Sequence, residues 1–266
     1  MTDIINDNIE IYKGLQKTFQ RRKGGSQNAY LKILYAQEHY FGNHPELRSK
    51  FKEESKELLQ AALRKFEYAA MVGEQMHSIR EIRYLRVNPH LQGYYAIPPE
   101  SENEVPFLDE LLFDQSLFLW RAFLDFYMKY IVYFCTEKYI VNMSVKEFNK
   151  AFSKVPGNSK SKEIYDFFQK KVFNKKSQNC NWGNILRSYR DKTAHNELLS
   201  LTMREVETRT GQTVLEPTTQ GQEISYFVQN TFENNAFYML RDFVPILYDV
   251  DWITGLYKPE MYLGEK

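Results

Sequence analysis

Ser116 to Met143 reads SLFLWRAFLDFYMKYIVYFCTEKYIVNM. Leu117, Trp120, Phe123, Leu124, Tyr127, Ile131, Phe134 and Tyr139 form a wide apolar stripe, spaced mostly by three and four residues. That spacing puts side chains on one face of an α-helix. The helix is predicted within Phe107 to Met143, starting near Asp109 or Asp114. A stripe this wide needs other elements on several sides, so the segment belongs at the centre of a helical protein. Arg121, Asp125, Lys129, Glu137 and Lys138 interrupt it, which argues against a membrane span.

The same periodicity extends outward. Ile9, Tyr12, Leu15 and Phe19 mark a helix over Asp7 to Arg22, stopped by Lys23-Gly24-Gly25-Ser26. Gln27 to Phe41 forms a second helix, ended by Gly42-Asn43-His44-Pro45. Pro45 can open a third, because its missing N–H costs nothing in a first turn. Phe51, Leu58, Leu59, Ala62, Phe66 and Ala69 carry that helix to about Leu85, with a bend expected at Gly73. Arg86 to Pro106 holds four prolines and Gly93 and has no helical period. It reads as a long connection, with Leu91 to Ile97 as an alternative short strand.

Downstream, Ser144 and Glu147 stand three apart as a capping box. Pro156-Gly157-Asn158 ends the helix so begun. Further helices are predicted over Ser161 to Phe173 and Asn179 to about Leu199. Val206, Thr208, Thr213 and Leu215 alternate around Thr210-Gly211, a hairpin pattern over Glu205 to Glu216. Glu223 to Tyr248 is helical again, with Pro245 expected to kink or end it, and the tail packs through Trp252 and Tyr257. The expected fold is an all-α helical bundle of seven to eight helices with a small β-hairpin insertion. We read residues 1–266 as one domain.

Composition bounds the function. Net charge is +1, which disfavours a broad, non-specific grip on DNA. Two cysteines, Cys135 and Cys180, do not make a disulfide framework, so a reducing, cytoplasmic setting is expected. Met1 to Glu10 has no apolar leader core, so no signal peptide is expected. No Gly-rich phosphate loop, HExxH or Cys-x-x-Cys pair occurs. His39 and His44, His77 and His90 read as ordinary histidines. No metal and no cofactor is expected.

One stretch carries chemistry: Asn181 to Glu197, NWGNILRSYRDKTAHNE. Arginine offers a rigid fork of donors that suits phosphate oxygens. Histidine can take and give a proton near neutrality. Together they suffice to cleave RNA through its own 2′-hydroxyl without a metal. Between Lys160 and Lys192 lie nine basic and three acidic residues, a local excess of six in a chain whose total is +1. Lys170, Lys171, Arg187 and Lys192 are the candidate RNA-binding cations; a plain solvated helix face explains the charge equally well. On a straight helix, His195 falls ~140° around and ~7.5 Å along from Arg190. Either the helix breaks between them or two subunits supply the groups jointly.

Arg190-Asp191-Lys192-Thr193-Ala194-His195 resembles the R-x4-6-H motif of HEPN domains, including a polar residue directly after the arginine. The likeness in arrangement covers about residues 107–245, leaving the first hundred residues as a helical extension. The resemblance implies an all-α bundle acting as a homodimer, with metal-independent endoribonuclease activity on single-stranded RNA in a toxin, defence or RNA-processing role. It gives His195 an acid–base role, Arg190 a phosphate-stabilising role and Asp191 an orienting role. An antitoxin or other protein partner is the further expectation. The alternatives are a non-catalytic helical module that binds RNA, a nucleotide or a protein, and a scaffold in which Arg190 and His195 only brace the helix.

Overall fold

The computed structural model describes residues 32–45, 53–86, 107–157, 159–177, 180–194, 201–207 and 213–248. The predicted helix Asp7 to Arg22, the proline-rich stretch after Arg86 and the tail with Trp252 and Tyr257 lie outside them. Helix takes up 76% of the described chain, and a small antiparallel sheet completes it. The fold class is the one expected from the sequence.

Helix α1 spans residues 32–43, α2 Glu53–Arg86 and α3 Phe107–Thr136. α3 is the central element: Phe113, Trp120, Phe123, Leu124, Tyr127, Met128, Tyr130 and Ile131 are all buried. α2 runs antiparallel beside it. Phe66 meets Trp120 and Phe123 edge-on, each with ring centroids 5.5 Å apart, while Glu54 accepts a hydrogen bond from the Tyr133 hydroxyl at 3.0 Å. α2 is unbroken at Gly73. α1 packs Ile33 and Ala36 into the same core. Large rings fill the space between helices and account for the high aromatic content.

α3 stops sooner than its stripe suggested, at Thr136 rather than Met143. Glu137 adopts φ 58° and its N–H donates to the Tyr133 carbonyl at 2.9 Å. A left-handed residue just past the last turn is a common helix stop, normally Gly or Asn. Tyr139, read as part of the stripe, is therefore exposed. α4 (Val145–Phe152) starts at Ser144, whose side chain accepts from the Glu147 N–H. α5 (Lys160–Val172) is capped in the same way by Ser159. Each such cap is worth ~1 kcal/mol.

α6 (Trp182–Ala194) leads to the sheet. β1 (Thr202–Glu207) pairs antiparallel with β2 (Thr213–Thr219), with Val206 opposite Val214. A third strand, β3 (Gln222–Glu223), extends the predicted hairpin. Gln220 and Gly221 form the two-residue turn, with φ 50° and 76°. Both central residues of such a turn need positive φ.

Two buried carboxylates join the sheet to α2. Arg80 Nε lies 3.6 Å from Glu216 and 3.7 Å from Glu223, and its guanidinium sits 4.5 Å from the Tyr226 ring centre. Arg204 reaches Glu216 from the sheet at 3.2 Å. Glu223 also caps α7 (Ile224–Val228), accepting from the N–H groups of Ser225 and Tyr226 and from the Ser225 hydroxyl. Burial pushes its carboxyl above the usual value, against the pull of those hydrogen bonds and of Arg80.

A π-helical turn, Gln229–Glu233, joins α7 to α8 (Asn234–Tyr248) without a loop. Pro245 does not end this helix, which runs on to Tyr248. The ring lies exposed in the final turn.

Candidate functional site

α6 follows from its sequence. Trp182, Leu186 and Tyr189 recur at four and three residues and are buried. Trp182 lies nearly parallel to Phe123 of α3, with centroids 6.4 Å apart. The Tyr189 ring packs against Phe113 and Phe227, 5.7 Å from each. The other face carries Arg187, Ser188 and Asp191, all exposed.

The start of α6 crosses the end of α5 at Gly183. A Cβ there would come within 2.6 Å of both the Phe173 ring and a Val172 methyl, so the close approach requires glycine. Asn184 fixes the crossing by donating to the Phe173 carbonyl at 3.1 Å and to the Asn181 side chain at 2.7 Å. Asn174 N–H closes the intervening loop on the Cys180 carbonyl at 2.8 Å.

The basic run divides into two sets. Lys171 is bound internally, 2.6 Å from Asp242 of α8 and 5.4 Å from the Phe167 ring centre. An RNA phosphate would have to compete with Asp242 for it. Lys162 pairs with Asp166 at 2.7 Å, and Lys160 lies 5.7 Å from the Tyr40 ring centre. By contrast, Lys170, Lys175, Lys176 and Arg187 are exposed and have no ion-pair partner among the described residues. Lys170 lies in the last turn of α5, and Lys175 and Lys176 lie in the loop that leads to α6. Gly183, Arg187 and Asp191 recur every four residues and share one side of α6, over ~12 Å.

Of the expected catalytic residues, Arg190 lies in α6 by its backbone and Asp191 is exposed on it. The side chains of Arg190 and Lys192, and all of His195, lie outside the described residues. α6 is helical without a break from Arg190 to Ala194.

A polar link beside Arg190 was not read from the sequence. The Tyr189 hydroxyl lies 2.6 Å from the Thr219 hydroxyl, and the Gln220 side-chain amide donates to it at 3.1 Å. Gln220-Gly221 was the available signal, a dipeptide suited to a two-residue turn.

Among the described residues, no three His, Cys, Asp or Glu side chains are grouped to hold a metal ion. His39 is exposed and bonds to Asn43 at 3.2 Å, and His44 packs on the Tyr40 ring. A depression at the start of α5 is lined by Ser159, Lys160, Glu163, Asp166, Pro245 and Ile246. Its two carboxylates disfavour a nucleic-acid backbone there. No helix among the described residues is long and apolar enough to cross a membrane. No family model matches this chain, and no curated protein or solved structure matches it.

Proposed function

We propose that the chain is a metal-independent endoribonuclease of the HEPN type, cutting single-stranded RNA through attack by its own 2′-hydroxyl. The observation that carries the reading is the unpaired cation track: Lys170, Lys175 and Lys176 in the last turn of α5 and the loop that leads to α6, then Arg187 one turn before the Arg190-to-His195 motif. Such a track would draw an RNA backbone along α6 toward that motif. His195 takes the proton from the 2′-hydroxyl as the new 2′-O–P bond forms. Arg190 stabilises the charge gathering on phosphorus, and Asp191 orients its neighbours. The P–O5′ bond then breaks, and the leaving oxygen receives a proton. The products are a 2′,3′-cyclic phosphate and a 5′-hydroxyl, and DNA is inert because it lacks the attacking group.

A site shared by two copies of the chain fits this reading, because one straight helix carrying both Arg190 and His195 would aim the two groups apart. An antitoxin-like protein partner fits the same reading. Exposed Leu108, Leu111 and Phe118 on α3 favour a second reading, a non-catalytic helical module that binds RNA, a nucleotide or a protein partner. Incubation of purified wild-type and His195→Ala protein with mixed-sequence RNA in excess EDTA separates the two. Cleavage by the wild type alone is expected. Equal cleavage by both would expose a contaminant, and cleavage by neither would leave the binding module ahead.

A further inference from the structure

Tyr238 of α8 leaves 48% of its surface in water. The Arg241 guanidinium, one turn on, lies 4.9 Å from its ring centre. Asp242 holds that guanidinium in place. Its Oδ1 accepts from Arg241 Nε at 2.8 Å and lies 2.8 Å from Nη2, while its Oδ2 accepts from Lys171 of α5 at 2.6 Å. Nη1 carries two further donors that Asp242 does not engage. The Arg241 side chain is 42% exposed, so those donors can be reached. Tyr226 offers a contrast: its own guanidinium neighbour, Arg80, is only 15% exposed and is turned onto Glu216 and Glu223. Charge on the α5–α8 seam also favours an anion. Lys170, Lys171 and Arg241 stand against Asp242, and Asp166, one turn before Lys170, is already paired with Lys162.

We propose that Tyr238 and Arg241 form a stacking platform for one unpaired base of single-stranded RNA, with Nη1 of Arg241 donating to the adjoining phosphate. The proposal rests on the reading of RNA as the substrate, and it adds a point of contact on α8 beside the last turn of α5. An exposed ring with a guanidinium fixed on it suits this ligand, because every base has a π-face and arginine both stacks and donates. An arginine already held by Asp242 loses less rotamer freedom when it binds. A duplex cannot use the platform, since its bases are stacked on one another. The platform therefore selects unpaired RNA independently of the 2′-hydroxyl chemistry.

The test uses the full chain and a short 2′-O-methyl RNA, which has no attacking hydroxyl, with 2-aminopurine at one central position. Stacking quenches that base, so its fluorescence reads the platform directly. The wild type should bind the single strand and quench it. Tyr238→Leu should bind about tenfold or more weakly, with the quenching lost and the melting temperature unchanged, and Tyr238→Phe should match the wild type. On the same oligomer annealed to its complement, Tyr238→Leu and wild type should bind alike, which also controls for folding. Arg241→Gln should lower the slope of log affinity against log salt by about 0.7, one phosphate on a single strand, whereas Tyr238→Leu should leave it unchanged. Single-strand affinity in Tyr238→Leu equal to wild type overturns the proposal, and so does an equal loss on the duplex or no binding by the wild type. Tyr238-dependent binding in a protein that leaves unmodified RNA uncut would sink the nuclease reading alone. Cleavage by a protein whose binding ignores Tyr238 would sink the platform alone.

Discussion

The phenol oxygens of Tyr130 and Tyr248 lie 2.5 Å apart inside the core, 118 residues apart in sequence. The contact ties the C-terminal third of α3 to the last turn of α8, and Gln37 of α1 adds its amide to Tyr130 at 3.4 Å. Burial keeps both phenols protonated well past their ordinary range, in Tyr130 against the pull of its hydrogen bonds with Tyr248 and Gln37. Their folded-state pKa values are raised, so their contribution is full below about pH 10 and is lost as pH climbs through the raised values. Tyr248→Phe should lower stability by ~1–2 kcal/mol at pH 7. It should also make the fall in stability above pH 10 shallower by one proton, read from urea unfolding at pH 7 and 10.5.

Lys171 and Asp242 should behave as a structural pair. Burial pushes the Asp242 carboxyl up, but hydrogen bonds and charge from Lys171 and Arg241 outweigh it and hold it below the usual value. A lowered pKa gives stability that is present above the unfolded value near 4 and is lost as pH falls through the folded one. Asp242→Asn should therefore cost ~1 kcal/mol at pH 7, with the gap to wild type closing by about pH 2. Denaturant midpoints across that range check the sign.

The divided basic run predicts divided effects on RNA. Replacing Lys175, Lys176 and Arg187 together with Gln should reduce the slope of log affinity against log salt by about 2, at ~0.7 per contact on single strands. Lys171→Met should leave that slope unchanged and lower stability instead. Filter binding at several salt concentrations measures both, and an unchanged slope in the triple variant would move the RNA track elsewhere.

Cys135 should be inert in the folded protein. Burial pushes its thiol up to about 12, so little thiolate exists near neutrality. In a Cys180→Ser background, its reaction with a disulfide reagent at pH 8 should run roughly a thousandfold slower than in denaturant. Equal rates would mean that the end of α3 opens readily.

Much of the helical plan was legible because it depends on local pattern. The stripe from Leu117 to Phe134, the Ser144 cap with Glu147, and the alternation from Val206 to Leu215 all express chemistry within a few residues. What escaped depends on conformation or distance. Glu137 stops α3 by taking a backbone geometry that its residue type does not announce. β3, two residues long, is too short to show a period. Pro245 was read as a kink or an end, and the helix runs on past it to Tyr248. Counting charges treated Lys171 as free, whereas its partner Asp242 stands 71 residues away. At the site, the residue types from Arg190 to His195 were visible in the sequence, but the Tyr189 link to Thr219 and Gln220 crosses 30 residues and leaves no local trace.

The π-helical turn gives the last helix a property of phase. Ile224, Val228, Phe232, Ala236, Leu240, Val244 and Tyr248 are all buried, a strict interval of four. In an ordinary α-helix each such step drifts by ~40°, or ~240° over the whole run. The wide turn takes in one additional residue and returns ~100° of that drift midway. The ~140° that remains sets the angle between its two ends: Glu223 turns toward Arg80 at one, and Tyr248 toward Tyr130 at the other. Removing one residue from Gln229–Glu233 would restore a regular helix and put the two anchors out of step, so that only one of them could dock.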